Sequence, residues 1–211
     1  ATPASQTRRN AIRSAYEKEV AHTDSQLMRL LRELESQKFF DHGTVIFTSD
    51  HGEEFWEHGG VEHGHTHHGV VVEVPLVIVG KGFEAATRSG VASLLDVAPT
   101  IRSIAGLPAR GNDLREKIAA GRIAGAFGSL VGPLKRSARN ESTRTIVTGD
   151  AEIEPVHVHR YDLISDPAEL VPILGTSEDE VSQSALGIKS PQQGVQLDLN
   201  SEALRALGYV E

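Results

Sequence analysis

Apolar residues recur at helical spacing from about Ala11 to Gln37, where Tyr16, Val20, Thr23, Leu27, Leu30, Leu31 and Leu34 alternate with charged side chains. No Gly or Pro interrupts this stretch, so the pattern predicts one long helix. Phe39-Phe40 and a turn at Asp41-His42-Gly43 follow. Thr44 to Thr48 is then a short β-branched and aromatic run, which reads as a buried strand of a parallel sheet. A polar stretch rich in His, Glu and Gly spans Asp50 to Gly69, and Val74 to Val79 is a second buried strand with Pro75 near its start. Helix, turn and buried strand in this order predict an α/β fold.

Beyond the second strand, Asp96 to Gly106 reads as a short helix, with Asp96 near its start, Pro99 in its first turn and Gly106 as its stop. Asp113 to Ala120 is a further helix candidate, and Gly121 to Gly132 is Gly-rich and ambiguous. Thr143 to Thr148 and Val156 to Leu163 alternate as two strands, expected to be antiparallel neighbours. Ser165-Asp166-Pro167 is a turn, and Thr176 to Gly194 reads as polar loop. Ser201 to Leu207 reads as a terminal helix capped by Ser201. The expected division is an α/β unit over residues 1–110 and a smaller subdomain of antiparallel strands and a terminal helix over 111–211.

Composition narrows the function. Among 211 residues, 21 Lys and Arg stand against 29 Asp and Glu, a net charge of −8, which argues against nucleic acid as a partner. There is no cysteine, so thiolate metal sites, disulfides and a cysteine nucleophile within these residues are excluded. No apolar run approaches the roughly 20 residues that span a bilayer. Ala1 to Asn10 is polar and unlike a signal peptide, and the natural N-terminus is expected upstream. No compartment follows from these residues.

Six of the ten histidines lie between His51 and His68, together with Asp50, Glu53, Glu54, Glu57 and Glu62. Asp50 and His51 leave the carboxyl end of a predicted strand, where α/β proteins place their sites. A carboxylate oxygen and an imidazole nitrogen suit a divalent ion, and Gly52 permits the tight turn both need. His63 and His65 alternate in an extended loop, so one faces the site and the other caps or orients. Glu53, Glu54 and Glu57 read as solvent-facing or supporting groups, and His67 and His68 as bystanders. His157 and His159 read as structural or surface groups on one strand face, and Trp56 as a core or loop anchor.

Thr48-Ser49-Asp50-His51-Gly52-Glu53 resembles the metal-binding motif of the sulfatase family, in the alkaline-phosphatase superfamily. The family's order is kept on both sides. Tyr16 to Leu34 resembles its preceding helix, and His63-Gly64-His65-Thr66 before Val74-Pro75-Leu76 its substrate loop and next strand. Leu95 to Thr100 with Ala105-Gly106-Leu107-Pro108 resembles its next helix. Tyr161-Asp162-Leu163, Asp166 to Leu170 and Leu204 to Val210 resemble its C-terminal signatures.

The resemblance implies a mostly parallel sheet flanked by helices and a metal-dependent hydrolysis of sulfate esters, with phosphate or phosphonate esters as alternatives. Asp50 and His51 would hold one divalent metal ion, calcium by resemblance. His51 stands where many members carry Asn, which admits zinc or manganese. His65, with His63 second, would contact the anionic oxygens or protonate the leaving oxygen. The substrate would be a small-molecule or glycan sulfate ester. The family's nucleophile motif (Cys or Ser, x, Pro, x, Arg) and its N-terminal Asp ligands are absent, as is a Lys around His63 to His65. The expectation is therefore the C-terminal part of such a domain, partnered by an N-terminal portion that carries the nucleophile. A non-catalytic metal- or anion-binding module, and a remnant with no site, are the competing readings.

Overall fold

The computed structural model describes residues 5–149, 156–174 and 179–188. Helix α1 runs from Gln6 to Ser36, with Ser5 accepting the Arg8 amide at its start. It stops before Lys38, whose φ of 55° turns the chain out of the helix. None of its residues is buried, and Tyr16, Val20 and Leu30 of the predicted apolar stripe are 42%, 50% and 54% exposed. Its contact is local: the Tyr16 ring lies 4.9 Å from that of Phe55, and Arg13 pairs with Glu57.

Strand β1, Thr44–Thr48, pairs with β4, Leu76–Gly80. The α/β class holds, but the two strands run antiparallel, with Thr48 opposite Leu76, and not as the parallel neighbours expected. A parallel return needs a crossover of a dozen or more residues, usually helical. The connection here contains only a short hairpin, β2 (Glu54–Phe55) with β3 (Val61–Glu62), and the single-turn helix α2 (Gly69–Val72). The chain therefore re-enters the ribbon at the end it left. Val77 and Val79 remain 50% and 41% exposed on one face of β4.

A turn of 3₁₀ helix at Leu94–Asp96 leads into α3, Val97–Ile104. Asp96 is buried, accepts the Ser93 amide at 2.8 Å and is gripped by both Arg122 guanidinium nitrogens at 2.6 and 2.8 Å. Gly106, at φ 74°, ends the segment as expected. The helix expected over Asp113 to Ala120 is a turn instead: the Asp113 carboxylate captures the Arg115 amide and guanidinium, a local bond that competes with helix formation.

The second sheet is an antiparallel meander of β5 (Ala124–Phe127), β6 (Lys135–Arg139), β7 (Thr143–Thr148), β8 (His157–Asp162) and β9 (Ile173–Leu174). β7 and β8 are the antiparallel neighbours predicted. Within the stretch expected to be loop, Glu180–Gly187 forms helix α4, because Asp179 caps it by accepting the Ser182 amide at 3.0 Å. Val181 and Ala185 of α4 close over Ala138 and Val147 to make the core cluster. His157 and His159 are exposed on β8. The helix expected at Ser201 to Leu207 lies outside the described residues.

Candidate functional site

The loop between β1 and β4 carries the candidate residues, and its backbone is bound at both ends. The Gly52 amide donates to the Val71 carbonyl at 2.7 Å, and a Cβ at Gly52 would collide with the Val70 carbonyl oxygen. This glycine is required by close packing. Beside it, the His51 amide donates to Asp50 Oδ1 at 3.0 Å, and His51 Nδ1 sits 2.9 Å from the Gly52 carbonyl. A carbonyl only accepts, so Nδ1 carries the proton and Nε2 of the neutral ring keeps its lone pair. That Nε2 stands 3.8 Å from Asp50 Oδ1. The bond to a backbone carbonyl is the support a metal-ligating histidine normally has.

The His63 ring stacks on His51 with centroids 3.8 Å apart, and His63 Nδ1 lies 3.4 Å from Glu53 Oε1. Both of these facing atoms are buried with no hydrogen-bond partner. Asp50, His51, Glu53 and His63 thus form one patch, its outer side open: the Asp50 side chain is 62% exposed.

His65 points the other way. Its Nε2 is 2.9 Å from Glu54 Oε2, while Glu54 Oε1 accepts the amides of His58 and Gly60 at 3.0 and 2.7 Å. Glu54 is only 1% exposed, so of the two roles expected for it, solvent-facing or supporting, it takes the second: it organises the hairpin turn from inside. The predicted alternation of His63 and His65 is present, with His63 on the side of Asp50 and His51 and His65 on the side of Glu54.

His67 and His68, expected as bystanders, are the loop's anchors on the second sheet. His67 is buried, with Nε2 2.6 Å from the Gly128 carbonyl and Nδ1 3.0 Å from the Ser137 hydroxyl. Burial pushes its pKa down. The Gly128 carbonyl opposes this, and the Lys135, Arg144 and His68 charges reinforce it. His68 Nδ1 meets Glu169 Oε2 at 2.9 Å, with the Gly69 amide on the same oxygen at 3.0 Å and Arg144 Nε on the other at 2.6 Å. Burial alone would raise the Glu169 pKa, but the His68 bond, the Arg144 charge and the Gly69 amide outweigh it and hold the carboxyl at about 2. Arg144 also pairs with Glu73, so the far end of the loop is tied to β7. Sequence reasoning assigned no role to Glu169, Arg144 or Glu73; the one available signal was Glu169 within the Asp166 to Leu170 motif.

His58, His68 and Glu169 place one donor atom each within 4.8 Å of one another. Yet the His58 and His68 rings lie 3.6 Å apart at only 3°, so their in-plane lone pairs run side by side instead of converging on one ion. Both Glu169 oxygens are already engaged. The cluster is a cross-link between loop and sheet.

The sulfatase family profile matches residues 1–107. The chain belongs to the sulfatase family. It is 37% identical to bovine (Bos taurus) arylsulfatase K over 98 residues, covering 46% of this chain and 18% of that protein. It is also 34% identical over 100 residues to a Haloferax volcanii protein named low-salt glycan biosynthesis sulfotransferase Agl7, covering 45% and 25%. A structure solved in complex with its substrate D-glucosamine-2-N,6-O-disulfate superposes with a TM-score of 0.63 at 24% identity, over 78% of this chain and 36% of that one. A Bacteroides thetaiotaomicron structure described as a candidate sulfatase superposes at 0.68 with 18% identity, over 86% and 42%. These likenesses establish the sulfatase fold. The chain spans about a fifth to a quarter of the length of these curated relatives, and less than half of the solved ones.

Proposed function

We propose that these residues form part of the active site of a metal-dependent sulfuric ester hydrolase. The observation that carries this is the Asp50, His51 and His63 patch at the carboxyl end of β1, in a chain of the sulfatase family. The donor set fits a divalent ion. It offers a carboxylate oxygen and an imidazole nitrogen held in its ligating tautomer, with the Glu53 and His63 pair, 3.4 Å apart, beside them. Asp50 and His51 would hold the ion, which when bound would draw charge from the nonbridging ester oxygens. The family resemblance favours calcium, while the imidazole nitrogen leaves zinc and manganese in contention.

His63 is the better placed of the two loop histidines to reach the ester. It stands against His51, and its Nδ1 faces Glu53, which would hold the ring while it protonates the departing oxygen. His65 would act by fixing Glu54 and the hairpin. The 211 residues contain no nucleophile in the family's pattern, so in this reading the attacking group comes from polypeptide beyond them. Support comes from the half-exposed β4 face, from an α1 helix with no buried residue and from the greater length of the relatives. The relative solved with a disulfated glucosamine supports a sulfated sugar as substrate class.

The test is equilibrium metal content. The wild-type chain should retain one equivalent of calcium, manganese or zinc after dialysis, and Asp50→Ala and His51→Ala should lose it. Retention by both variants would defeat the reading. The 211-residue chain alone should show no turnover of aryl sulfates or aryl phosphates. Turnover by pure chain above a metal-only control would show that the nucleophile lies within it.

A further inference from the structure

The turn that joins β5 to β6 belongs to the second sheet, yet it reaches the loop of the candidate site. At its tip the Leu130 and Val131 amides both donate to the Gly64 carbonyl, at 2.8 and 3.1 Å, which uses both lone pairs of that oxygen. Gly64 stands between His63 and His65, and among the described residues Gly64 to His67 form no other backbone-to-backbone hydrogen bond. At the base of the turn His67 Nε2 meets the Gly128 carbonyl at 2.6 Å. The turn is braced from within: the Gly128 amide donates to the Lys135 carbonyl and the Ser129 hydroxyl to the Pro133 carbonyl, both at 3.0 Å. The Leu130 and Val131 side chains are exposed, so burial does not explain the tip, and its two backbone donors are what it supplies. Gly64 fits this contact in two ways. Its φ is 82°, and a Cβ there would lie 2.9 Å from the Leu130 Cβ.

We propose that this turn is a positioning element of the candidate site: it holds the peptide between Gly64 and His65, and so keeps His63 against His51 and His65 against Glu54. That peptide carries the Gly64 carbonyl, so rotating it would break both amide bonds at once and swing the imidazoles from the sides they occupy. A loop segment without backbone pairing of its own takes its shape from the scaffold that touches it. Leu130 and Val131 act through His63 and His65 and touch no reacting atom, so they are positioning residues. What His63 does once placed is taken from the hydrolase reading above; the placing itself does not depend on it.

The readout is the His51–His63 ring stack, whose 3.8 Å centroid separation puts ring protons within reach of a nuclear Overhauser contact. The 211-residue chain with labelled histidine should show this contact. The double variant Leu130→Pro, Val131→Pro removes both donors and should lose it, whereas Leu130→Ala, Val131→Ala keeps both donors and should retain it. If the Glu54 bond to His65 suffices by itself, or if the turn only braces its own sheet, the proline variant keeps the contact and the proposal is overturned. Slow exchange of the buried Val147 amide checks that the proline variant still holds the second sheet. Should that protection vanish, Gly64→Ala tests the same contact from the other side. Its methyl collides with Leu130, so the ring contact should be lost, and adding Leu130→Gly should restore it. Retention in Gly64→Ala, or a loss that Leu130→Gly does not reverse, would equally overturn the proposal. These spectra need neither metal nor turnover, so the two readings fail separately. A chain that passes but binds no metal keeps the positioning turn and loses the hydrolase, and one that binds metal but keeps the contact in the proline variant loses the turn alone.

Discussion

Two ends of one loop use the same residue type for opposite purposes. At the β1 end, His51 and His63 stack on each other beside exposed Asp50, and the facing atoms His63 Nδ1 and Glu53 Oε1 are buried without hydrogen bonds. At the α2 end, His67 has both ring nitrogens bonded, and His68 is sealed between His58, Tyr161 and Glu169. A buried polar atom left without a partner costs stability, of the order of 1–3 kcal/mol. Such an atom needs an explanation, and His58 Nδ1, stacked on His68 at the α2 end, is a third one. The first end, with Asp50 exposed, is the candidate for binding, and the second ties the loop to the sheet through Glu169, Gly128 and Ser137, a difference not visible in residue identity.

Exchanging losses of activity for losses of stability is the way to break this comparison. If the proposed hydrolase reading holds, the largest effect should come from Asp50→Ala or His51→Ala in the full-length protein: loss of bound metal and a fall in kcat/KM of several powers of ten, with Tm almost unchanged. A matching fall in Tm would mean that this end is structural as well. Next, His63→Ala should lower the rate by about 10²- to 10⁴-fold, most for poor leaving groups and least for nitrophenyl sulfate. His65→Ala should act mainly on stability, by leaving buried Glu54 short of a partner; if it instead reproduces the leaving-group dependence, His65 and not His63 delivers the proton.

At the holding end, Glu169→Gln should destabilise by about 3 kcal/mol, because it leaves the buried Arg144 guanidinium undercompensated. Urea unfolding measures this, and metal content should be untouched. The smallest effect is a pH dependence. The His67 pKa is lowered in the folded state from an ordinary 6.5, so the unfolded chain binds the proton first. Its contribution is fully present above pH 6.5 and is lost as the pH falls toward the folded value. Glu169, held at about 2 from an ordinary 4.5, adds a second loss only below pH 4.5. Tm should therefore decline gently between pH 7 and 5, and His67→Gln should flatten that decline. An equal decline in the variant would place the titrating group elsewhere.

Much was determined by the sequence alone, because local rules suffice for it. An uninterrupted helical stripe makes α1, β-branched runs make β1 and β7, and Gly106 ends the α3 segment. The Asp50-His51-Gly52 turn leaving a strand is legible as a candidate site from residue order alone. What the tertiary structure decided are questions of direction and partnership. Whether β1 and β4 run parallel depends on which end of the ribbon the chain re-enters, and periodicity carries no such information. Whether His63 or His65 faces Asp50 depends on Glu54 being buried beneath the hairpin, and alternation only says that they differ. That His67 and His68 are anchors depends on Ser137, Gly128 and Glu169, from 61 to 101 residues away in sequence. Contacts at that separation are made by folding, which brings a carboxylate or carbonyl to one imidazole and leaves another half-exposed.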